Sequence, residues 1–208
     1  MPTDVADHWH EIWSDGDPEQ LSWFQASPQT SLKLIERYAP DRSSSVIDVG
    51  GGSSRLAADL LELGYLDVTV VDIAVPALER ARQQMGSQAS EVTWKVAEVT
   101  QLEMPRPVDL WHDRAVLHFL TDPAQQHAYA QRVLANLRPG GHAIVATFGP
   151  NGPDRCSGLP VERYDAATIA HTLDLDLIEA LDDTHLTPDG VQQAFVYAVL
   201  RHPAARLA

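Results

Sequence analysis

The sequence predicts an α/β fold in which helices cover both faces of a mainly parallel β-sheet. The first observation is a short apolar strand at 45–49, followed by three glycines and an amphipathic helix, the entry corner of nucleotide-type α/β folds. The second is that apolar strands and helices alternate as far as residue 147. The third is that the last two strands, at 175–181 and 194–201, are joined by a link too short for a crossover helix. These two strands are therefore predicted to be antiparallel neighbours.

Length and composition indicate one globular domain. The 208 residues suit a single domain over 1–208, with an N-terminal helical lid at 1–42 and a core at 43–208. The net charge of −14, from 15 basic and 29 acidic residues, argues against a nucleic-acid partner, because a phosphate polymer would be repelled. No apolar run approaches the ~20 residues that a membrane-spanning helix needs, so no membrane partner is expected.

Cysteine usage bounds the chemistry further. The single cysteine, Cys156, excludes an internal disulfide framework and a cysteine zinc cluster. No His or Cys spacing typical of metal ligands recurs, and we expect no metal. The N-terminus does not resemble a secretory signal, so a reducing cytoplasm is the expected location.

The glycine corner predicts the kind of ligand. Gly50, Gly51 and Gly52 allow a sharp bend and a close approach of a ligand to the main chain. A dinucleotide fingerprint needs a third glycine where Arg55 stands, and a pyrophosphate is a poor neighbour for the carboxylate of Asp48. A cationic amino-acid group is a better neighbour for that carboxylate. The corner therefore favours S-adenosylmethionine (SAM) over NAD.

The ends of the next two strands carry further acids. The strand at 67–72 ends in Asp72, ~20 residues beyond the glycine turn, where an acid binds ribose hydroxyls in such folds. The alternative is an ordinary surface aspartate at a strand end. A helix follows at 75–85, with a proline in its first turn. The third strand, 92–96, leads to Glu98 and Val99, which are placed to reach an adenine amino group.

The fourth strand, 108–111, runs into the chemically densest stretch of the chain, at 112–120. This stretch lies at the carboxyl end of a strand, where open parallel sheets place their ligands. A helix at 123–137, a tight turn at 138–141 and a fifth strand at 142–147 follow. The Gly/Pro-rich loop at 149–164 is predicted to form a wall of the substrate pocket.

Tryptophans are concentrated before the first strand, and Trp13 and Trp23 are among them. One interpretation is that these side chains attach an N-terminal flap to the domain. The other is a lid whose indoles close over a sulfonium ligand, which cation–π attraction would favour. The two interpretations are compatible.

In combination, these motifs resemble one family, the class I SAM-dependent methyltransferases. The resemblance implies a Rossmann-like sheet of seven strands, mainly parallel with the last strand antiparallel, and SAM as cofactor. It places Asp48 and Gly50–Gly52 at the amino-acid part of SAM, Asp72 at the ribose, Ile73 against the adenine, and Glu98 with Val99 at the adenine edge. It adds Trp13, Trp23, Ser53 and Asp113 to the cofactor contacts.

Two narrower resemblances concern the ends of the chain. The stretches 111–115, 155–161, 185–188 and 193–195 resemble a bacterial group of small methyltransferases. The N-terminal tryptophans are similar to those of elongation-factor lysine methyltransferases. Neither resemblance identifies a substrate. The Asn-Pro-Pro-aromatic motif of amino-methylating DNA enzymes is absent after the fourth strand.

The acceptor half offers only candidates. His112, His118 and His185 are candidate catalytic residues, because a histidine can deprotonate a thiol, hydroxyl or ammonium near neutral pH. A structural hydrogen bond is the alternative for each of them. The candidate substrate-binding residues are Arg114, Cys156 and Arg163. Arg114 could hold a substrate carboxylate through two hydrogen bonds, or it could serve as a structural ion pair.

The sequence therefore predicts a SAM-dependent methyltransferase that acts on a small molecule by in-line displacement. The alternatives are a protein lysine methyltransferase and a SAM-binding protein without turnover. The methylated atom, the general base and the oligomeric state are not indicated by any motif.

Overall fold

The computed structural model describes residues 5–15 and 17–203, and its centre is a seven-stranded sheet. The strand order is β3-β2-β1-β4-β5-β7-β6. The strands are β1 (Ser45–Val49), β2 (Asp67–Asp72), β3 (Val92–Val96), β4 (Val108–Arg114), β5 (Leu137–Phe148), β6 (Asp176–Leu186) and β7 (Gln192–Arg201). The ends of the predicted domain, at 1–4 and 204–208, lie outside the described residues.

The pairing confirms the predicted fold class. Strands β1 to β5 pair in parallel, whereas the last strand, β7, is antiparallel to both β5 and β6. Strands β6 and β7 are longer than predicted, so the link between them shrinks to residues 187–191.

Six α-helices surround the sheet: α1 (Val5–Asp15), α2 (Gln29–Tyr38), α3 (Leu56–Glu62), α4 (Val75–Met85), α5 (Pro123–Asn136) and α6 (Ala166–Leu173). The apolar sides of α2, α3 and α4 pack on one face of the sheet. Helices α5 and α6 pack on the other face. Helix α1 lies outside this arrangement and packs against α4 through Trp13.

Glycines shape two boundaries of these elements. Helix α3 ends before Gly64, which adopts a left-handed φ of 88°, and the Tyr65 amide reaches back to the Leu60 carbonyl. The prediction that a turn at 138–141 precedes the fifth strand is wrong, because β5 already begins at Leu137. The turn is an irregularity within β5, and its Gly140 amide still donates to the carbonyl of His202.

The loop at 149–164 folds on itself. It contains a small two-stranded hairpin that pairs Arg155–Cys156 with Leu159–Pro160. Among the described helices, none is long and apolar enough to cross a membrane.

Candidate active site

Two cavities open at the carboxyl edge of the parallel strands. The first, which we call the β2–β3 cavity, has a volume of about 390 Å³; it is lined by Asp72, Ile73, Glu98, Val99, Val116, Phe119 and Trp9, among others. The second, the β1–β4 cavity, has a volume of about 360 Å³; it is lined by Phe24, Gln25, Ser31, Asp48, Gly51, Ser53 and His112, among others. Four residues line both cavities: Trp13, Trp23, Gly50 and Arg114. The two cavities therefore meet at these four residues.

The glycine corner has no room for side chains. A Cβ on Gly50 would lie 2.1 Å from Val116 Cγ2, and one on Gly51 would lie 2.6 Å from Asp48 Oδ2. On Gly52 it would lie 2.7 Å from the indole of Trp13. Gly50 and Gly52 also adopt left-handed φ values of 63° and 52°. The backbone here can turn under the cavities only because all three residues lack a Cβ.

Asp72 holds this corner in place. Its Oδ2 accepts a hydrogen bond from the Gly52 amide at 2.9 Å, and its Oδ1 accepts one from the Ala74 amide at 2.8 Å. Burial raises the pKa of this carboxyl to about 6, although the amides of Ala74 and Gly52 act in the opposite direction. Each carboxylate oxygen has a second lone pair. Asp72 can therefore fasten the glycine corner and still accept a hydrogen bond from a ligand in the β2–β3 cavity.

His112 links two other polar residues in the β1–β4 cavity. Its Nδ1 lies 2.7 Å from Asp48 Oδ1, and its Nε2 lies 2.8 Å from Ser31 Oγ. Asp48 and His112 face each other because they are register partners in the parallel strands β1 and β4. The bonds are satisfied when neutral His112 donates from Nδ1 to Asp48 and accepts from Ser31 at Nε2. Both ring nitrogens are thus occupied, which corrects the prediction of His112 as a free general base.

The other two histidines do not reach these cavities. His118 is fully buried between the rings of Phe119 and Phe148, and its Nδ1 accepts a long hydrogen bond from the Phe148 amide. Burial, with a smaller effect of Arg114, lowers the pKa of His118 to about 3. His185 lies in β6, and its Nε2 donates to the carbonyl of Ser22 at 2.8 Å. Both catalytic predictions are corrected, because the two rings pack inside the protein and His185 ties the N-terminal segment to the sheet.

Asp113 also serves the protein's own structure. It is fully buried, and its carboxylate accepts hydrogen bonds from the amides of Val116 and Leu117 and from the hydroxyl of Tyr129. Burial raises its pKa to about 6, against the effect of these bonds. Asp113 alternates with His112 along β4 and so points to the opposite face of the sheet. The predicted cofactor contact of Asp113 is therefore corrected: this residue shapes the turn that follows Arg114.

The predicted wall from the loop at 149–164 is wrong as well. Residues of the N-terminal segment, including Trp23, Phe24 and Gln25, line the β1–β4 cavity instead. Cys156 belongs to the core cluster that includes residues of α2 and α3, and burial raises the pKa of its thiol. The guanidinium of Arg163 is exposed and donates to the carbonyls of Pro150 and Gly152 within its own loop. Neither residue lines either cavity, so their predicted substrate contacts are corrected.

The tryptophans attach the N-terminal segment to the domain, and Trp13 and Trp23 also line the cavities. Trp13 is buried against Ala74 and Ala77 and covers Gly52, so it attaches α1 to the domain. Trp23 and Trp13 meet edge to face, with ring centroids 5.9 Å apart, and both line the cavities. Trp9, which the sequence analysis missed, stacks between Trp23 and Phe119. Its signal was present, because Trp9 and Trp13 are four residues apart on one face of a helix.

Residues after β3 lie at the rim of the β2–β3 cavity. The carboxylate of Glu98 accepts hydrogen bonds from the Thr100 amide at 3.3 Å and from Gln101 Nε2 at 2.8 Å. These local bonds hold Glu98 and Val99 beside the cavity that Ile73 and Asp72 border. Of the predicted cofactor residues, Gly52 and Asp113 line neither cavity; Ser53 lines the β1–β4 cavity with Asp48.

The residues present fit SAM. Gly50 and Gly51 bring bare backbone to the cavities, and Asp48 offers a carboxylate on one side while Asp72 offers one on the other. Indoles stand where the cavities meet, as a sulfonium group would favour. Cavities of ~300 Å³ or more are typical of small-molecule sites.

Comparison with known proteins decides the family. The family model described as "Methyltransferase domain" matches residues 46–141, from β1 to the turn within β5. The chain carries a class I SAM-dependent methyltransferase domain. The predicted resemblance is thereby confirmed, and the methyltransferase domain includes the glycine corner, Asp72, Glu98 and Arg114.

Curated relatives share this domain and differ in their targets. The chain is 26% identical over 103 residues to the eEF1A lysine and N-terminal methyltransferase of Mus musculus, a match that covers 48% of the chain and 14% of the mouse protein. It is 29% identical over 142 residues to the trans-aconitate 2-methyltransferase of Azoarcus sp., which covers 68% of the chain and 53% of that protein. The chain thus spans about half the length of the second relative and far less of the first.

A solved structure shows the same fold over nearly the whole chain. The N-methyltransferase NodS from Bradyrhizobium japonicum, in complex with S-adenosyl-L-homocysteine (SAH), superposes with a TM-score of 0.73. The superposition covers 96% of this chain and all of that one, at 19% identity. The methyltransferase fold therefore includes α1 and the strands β6 and β7, beyond the part matched by the family model.

We expect SAH affinity to depend on pH through Asp72. The carboxyl is ionised above about pH 6 and protonated below it, and protonation removes an acceptor from the β2–β3 cavity. Isothermal titration of wild type should therefore show weaker SAH binding at pH 5 than at pH 7.5. Asp72→Asn should bind SAH about 10- to 100-fold more weakly at pH 7.5 and lose most of this pH dependence.

Asp113→Asn is the matched control, because Asp113 also has a pKa of about 6 but lines neither cavity. This variant should keep the pH dependence of the wild type. A variant Asp72→Asn whose SAH affinity falls with acid as steeply as in wild type would contradict the assignment.

We expect Asp113→Ala to lower the free energy of unfolding by about 3 kcal/mol, because it leaves two buried amides and the Tyr129 hydroxyl without their acceptor. Urea denaturation measures this loss. Tyr129→Phe removes one of the three bonds and should cost less. The folded fraction of either variant should bind SAH with an affinity close to that of wild type; a selective loss of SAH binding in stable Tyr129→Phe would argue against this structural role.

Proposed function

We propose that this protein transfers the methyl group of SAM to a small-molecule acceptor. The observation that carries the proposal is the pair of adjoining cavities at the carboxyl edge of the sheet. One is bordered by the residues that would hold adenosine, and the other has a volume of about 360 Å³, the size of a small molecule. Gly50 and Arg114 lie where the two cavities meet, which is where transfer would take place.

In this proposal, residues that border the β2–β3 cavity and residues of the glycine corner bind different parts of the cofactor. Asp72 would accept hydrogen bonds from the ribose hydroxyls, and Ile73 and Val99 would contact the adenine, with Glu98 at its edge. The backbone of Gly50–Gly52, with Ser53, would lie along the amino-acid part, whose ammonium group would face Asp48. When bound, SAM supplies an electrophilic methyl group on a positively charged sulfur.

The chain's contribution to methyl transfer is then alignment and the exclusion of water. Holding two reactants in line can lower a barrier by roughly 7–11 kcal/mol without acid–base catalysis. Trp9, Trp13 and Trp23 form an aromatic wall over the junction of the cavities. Helix α1 and the residues from 17 to 31 would serve as a lid over the site, and Ser22 is tied to the sheet through His185.

We assign no residue of this protein to proton transfer. Of the three histidines predicted as catalytic, His112 borders a cavity, and both of its ring nitrogens are bonded to Asp48 and Ser31. His112 would instead act as a positioning residue that fixes the orientation of the Asp48 carboxylate. An acceptor atom whose lone pair is free at neutral pH fits this arrangement.

Incubation with methyl-labelled SAM and a bacterial lysate separated into small-molecule and protein fractions tests the proposal. We expect SAH to form and the label to enter the small-molecule fraction. Label in a protein band alone would favour a protein methyltransferase, as the mouse relative's name describes for that protein. SAH binding without turnover on any fraction would favour a SAM-binding protein without catalysis.

Two variants provide the comparison. Asp72→Ala should abolish turnover by weakening cofactor binding. Asp67→Asn changes an aspartate at the opposite end of the same strand, where it pairs with Arg106, and should leave turnover unchanged. Equal turnover of both variants would contradict the proposed place of the cofactor.

A further inference from the structure

Arg114 carries an uncompensated positive charge between the two cavities. Surface arginines such as Arg37 and Arg138 pair with acids, whereas Arg114 forms no ion pair with any described Asp or Glu. Its Nη1 donates a long hydrogen bond, 3.3 Å, to the carbonyl of Trp23. Its Nε is buried and has no hydrogen-bond partner among the described residues. Arg55, which also lines the β1–β4 cavity, is paired with Asp59.

We propose that the methyl acceptor is a small organic carboxylic acid, which binds as its carboxylate to the guanidinium of Arg114. This inference rests on the proposed methyl transfer and adds the chemical class of the acceptor. An arginine can donate two parallel hydrogen bonds to a carboxylate, and such bonds are about twice as strong as those between neutral groups.

The titratable groups whose pKa Arg114 perturbs include no anion. The titratable groups that feel its charge are His118, His185 and the thiol of Cys156. Burial, with a smaller contribution from Arg114, lowers the pKa of both histidines, and burial raises that of the thiol. All three are therefore uncharged at neutral pH. A carboxylate that enters here would meet a single positive charge in a partly dehydrated site, where its attraction is stronger than in water.

The backbone after Arg114 is shaped to aim this side chain. Ala115 adopts a left-handed φ of 73°, which costs a residue with a Cβ of order 1 kcal/mol or more. The conformation is held because the Ala115 amide donates to Ala146 at 2.8 Å and because Asp113 binds the amides of the next two residues. The strand therefore stops at Arg114 and leaves its side chain at the cavity junction.

Phe195 fixes the guanidinium from below. Its ring centroid lies 4.5 Å from Arg114 Cζ, a cation–π distance. Stacking uses the flat face of the guanidinium and leaves its N–H groups, which point outward in the guanidinium plane, for an anion. Trp23 and Phe24 add apolar walls to the β1–β4 cavity. We therefore expect the rest of the acceptor molecule to be compact and largely apolar.

The β1–β4 cavity is also lined by acids, which would favour an amine as the acceptor instead of a carboxylate. Asp48 and Glu19 line it, and an amine acceptor would be attracted to them. Asp48 already accepts a hydrogen bond from His112, and in the proposed function it faces the ammonium group of the cofactor. Glu19 and Glu62, which also lines the cavity, are exposed to solvent, which weakens their attraction for an amine. The Nε of Arg114 is buried without a hydrogen-bond partner among the described residues, so a carboxylate is favoured over an amine.

Matched ligands test the inference. Binding of benzoate, cinnamate and succinate is compared with that of benzamide, cinnamamide, succinamide and benzylamine by isothermal titration, with the protein saturated with SAH. We expect at least one acid to bind about 10- to 100-fold more tightly than its amide. Arg114→Gln should abolish that preference and leave amide binding unchanged, and Arg114→Lys should retain part of it. Arg155→Gln removes the same charge from an exposed residue and should behave as wild type.

The possible outcomes distinguish a failure of the carboxylate assignment from a failure of the proposed methyl transfer. If SAH itself fails to bind, the proposed methyl transfer is wrong, and the acceptor assignment falls with it. If SAH binds but amides or benzylamine bind as well as the acids, or no acid binds, the carboxylate assignment alone is overturned. A loss of acid and amide binding by equal factors in Arg114→Gln would show that Arg114 supports the structure rather than the ligand.

Discussion

The hydrogen bond from the Gly52 amide to the buried carboxylate of Asp72 is the contact on which the site depends. It joins the turn after β1 to the end of β2 across 20 residues of chain, and it fixes a backbone that has no side chains of its own to anchor it. The same carboxylate binds the amide at the start of α4. Burial makes this arrangement costly for the ionised acid, whose pKa rises to about 6. This unfavourable burial of a charge occurs at the end of β2, where the carboxylate also borders the β2–β3 cavity.

The face of the sheet to which a polar residue of β4 points decides whether that residue borders a cavity or supports the core. Along β4, His112 and Arg114 point to the face covered by α2 and α3, where the β1–β4 cavity lies, and Asp113 between them points to the core under α5. His112 is held by Asp48 and Ser31, so it supports another carboxylate. The carboxylate of Asp113 is satisfied by two amides and a hydroxyl, whereas the buried Nε of Arg114 has no hydrogen-bond partner among the described residues. This difference is the reason that we place the acceptor at Arg114 and assign no general base.

The N-terminal segment completes the site from outside the sheet. Trp13 covers Gly52, and Trp9 and Trp23 stack toward Phe119, so the lid is attached by the same aromatic rings that line the cavities. The bond from His185 to Ser22 connects this lid to β6, at the far edge of the sheet from β3. Residues that are distant in sequence thus form the wall that the loop at 149–164 does not provide.

The sequence by itself determined the sheet, the glycine corner and the methyltransferase family. Strand periodicity, the glycine run and the spacing to Asp72 are local patterns, and local patterns are readable without a fold. The tertiary structure alone decided which of His112, His118, His185, Asp113, Cys156 and Arg163 face a cavity. Side chains alternate across a strand, and loops may fold toward or away from the site, so a one-residue difference or a distant partner such as Ser31 changes a role entirely. Buried hydrogen bonds to residues up to 163 positions away, as between His185 and Ser22, leave no local pattern in the sequence.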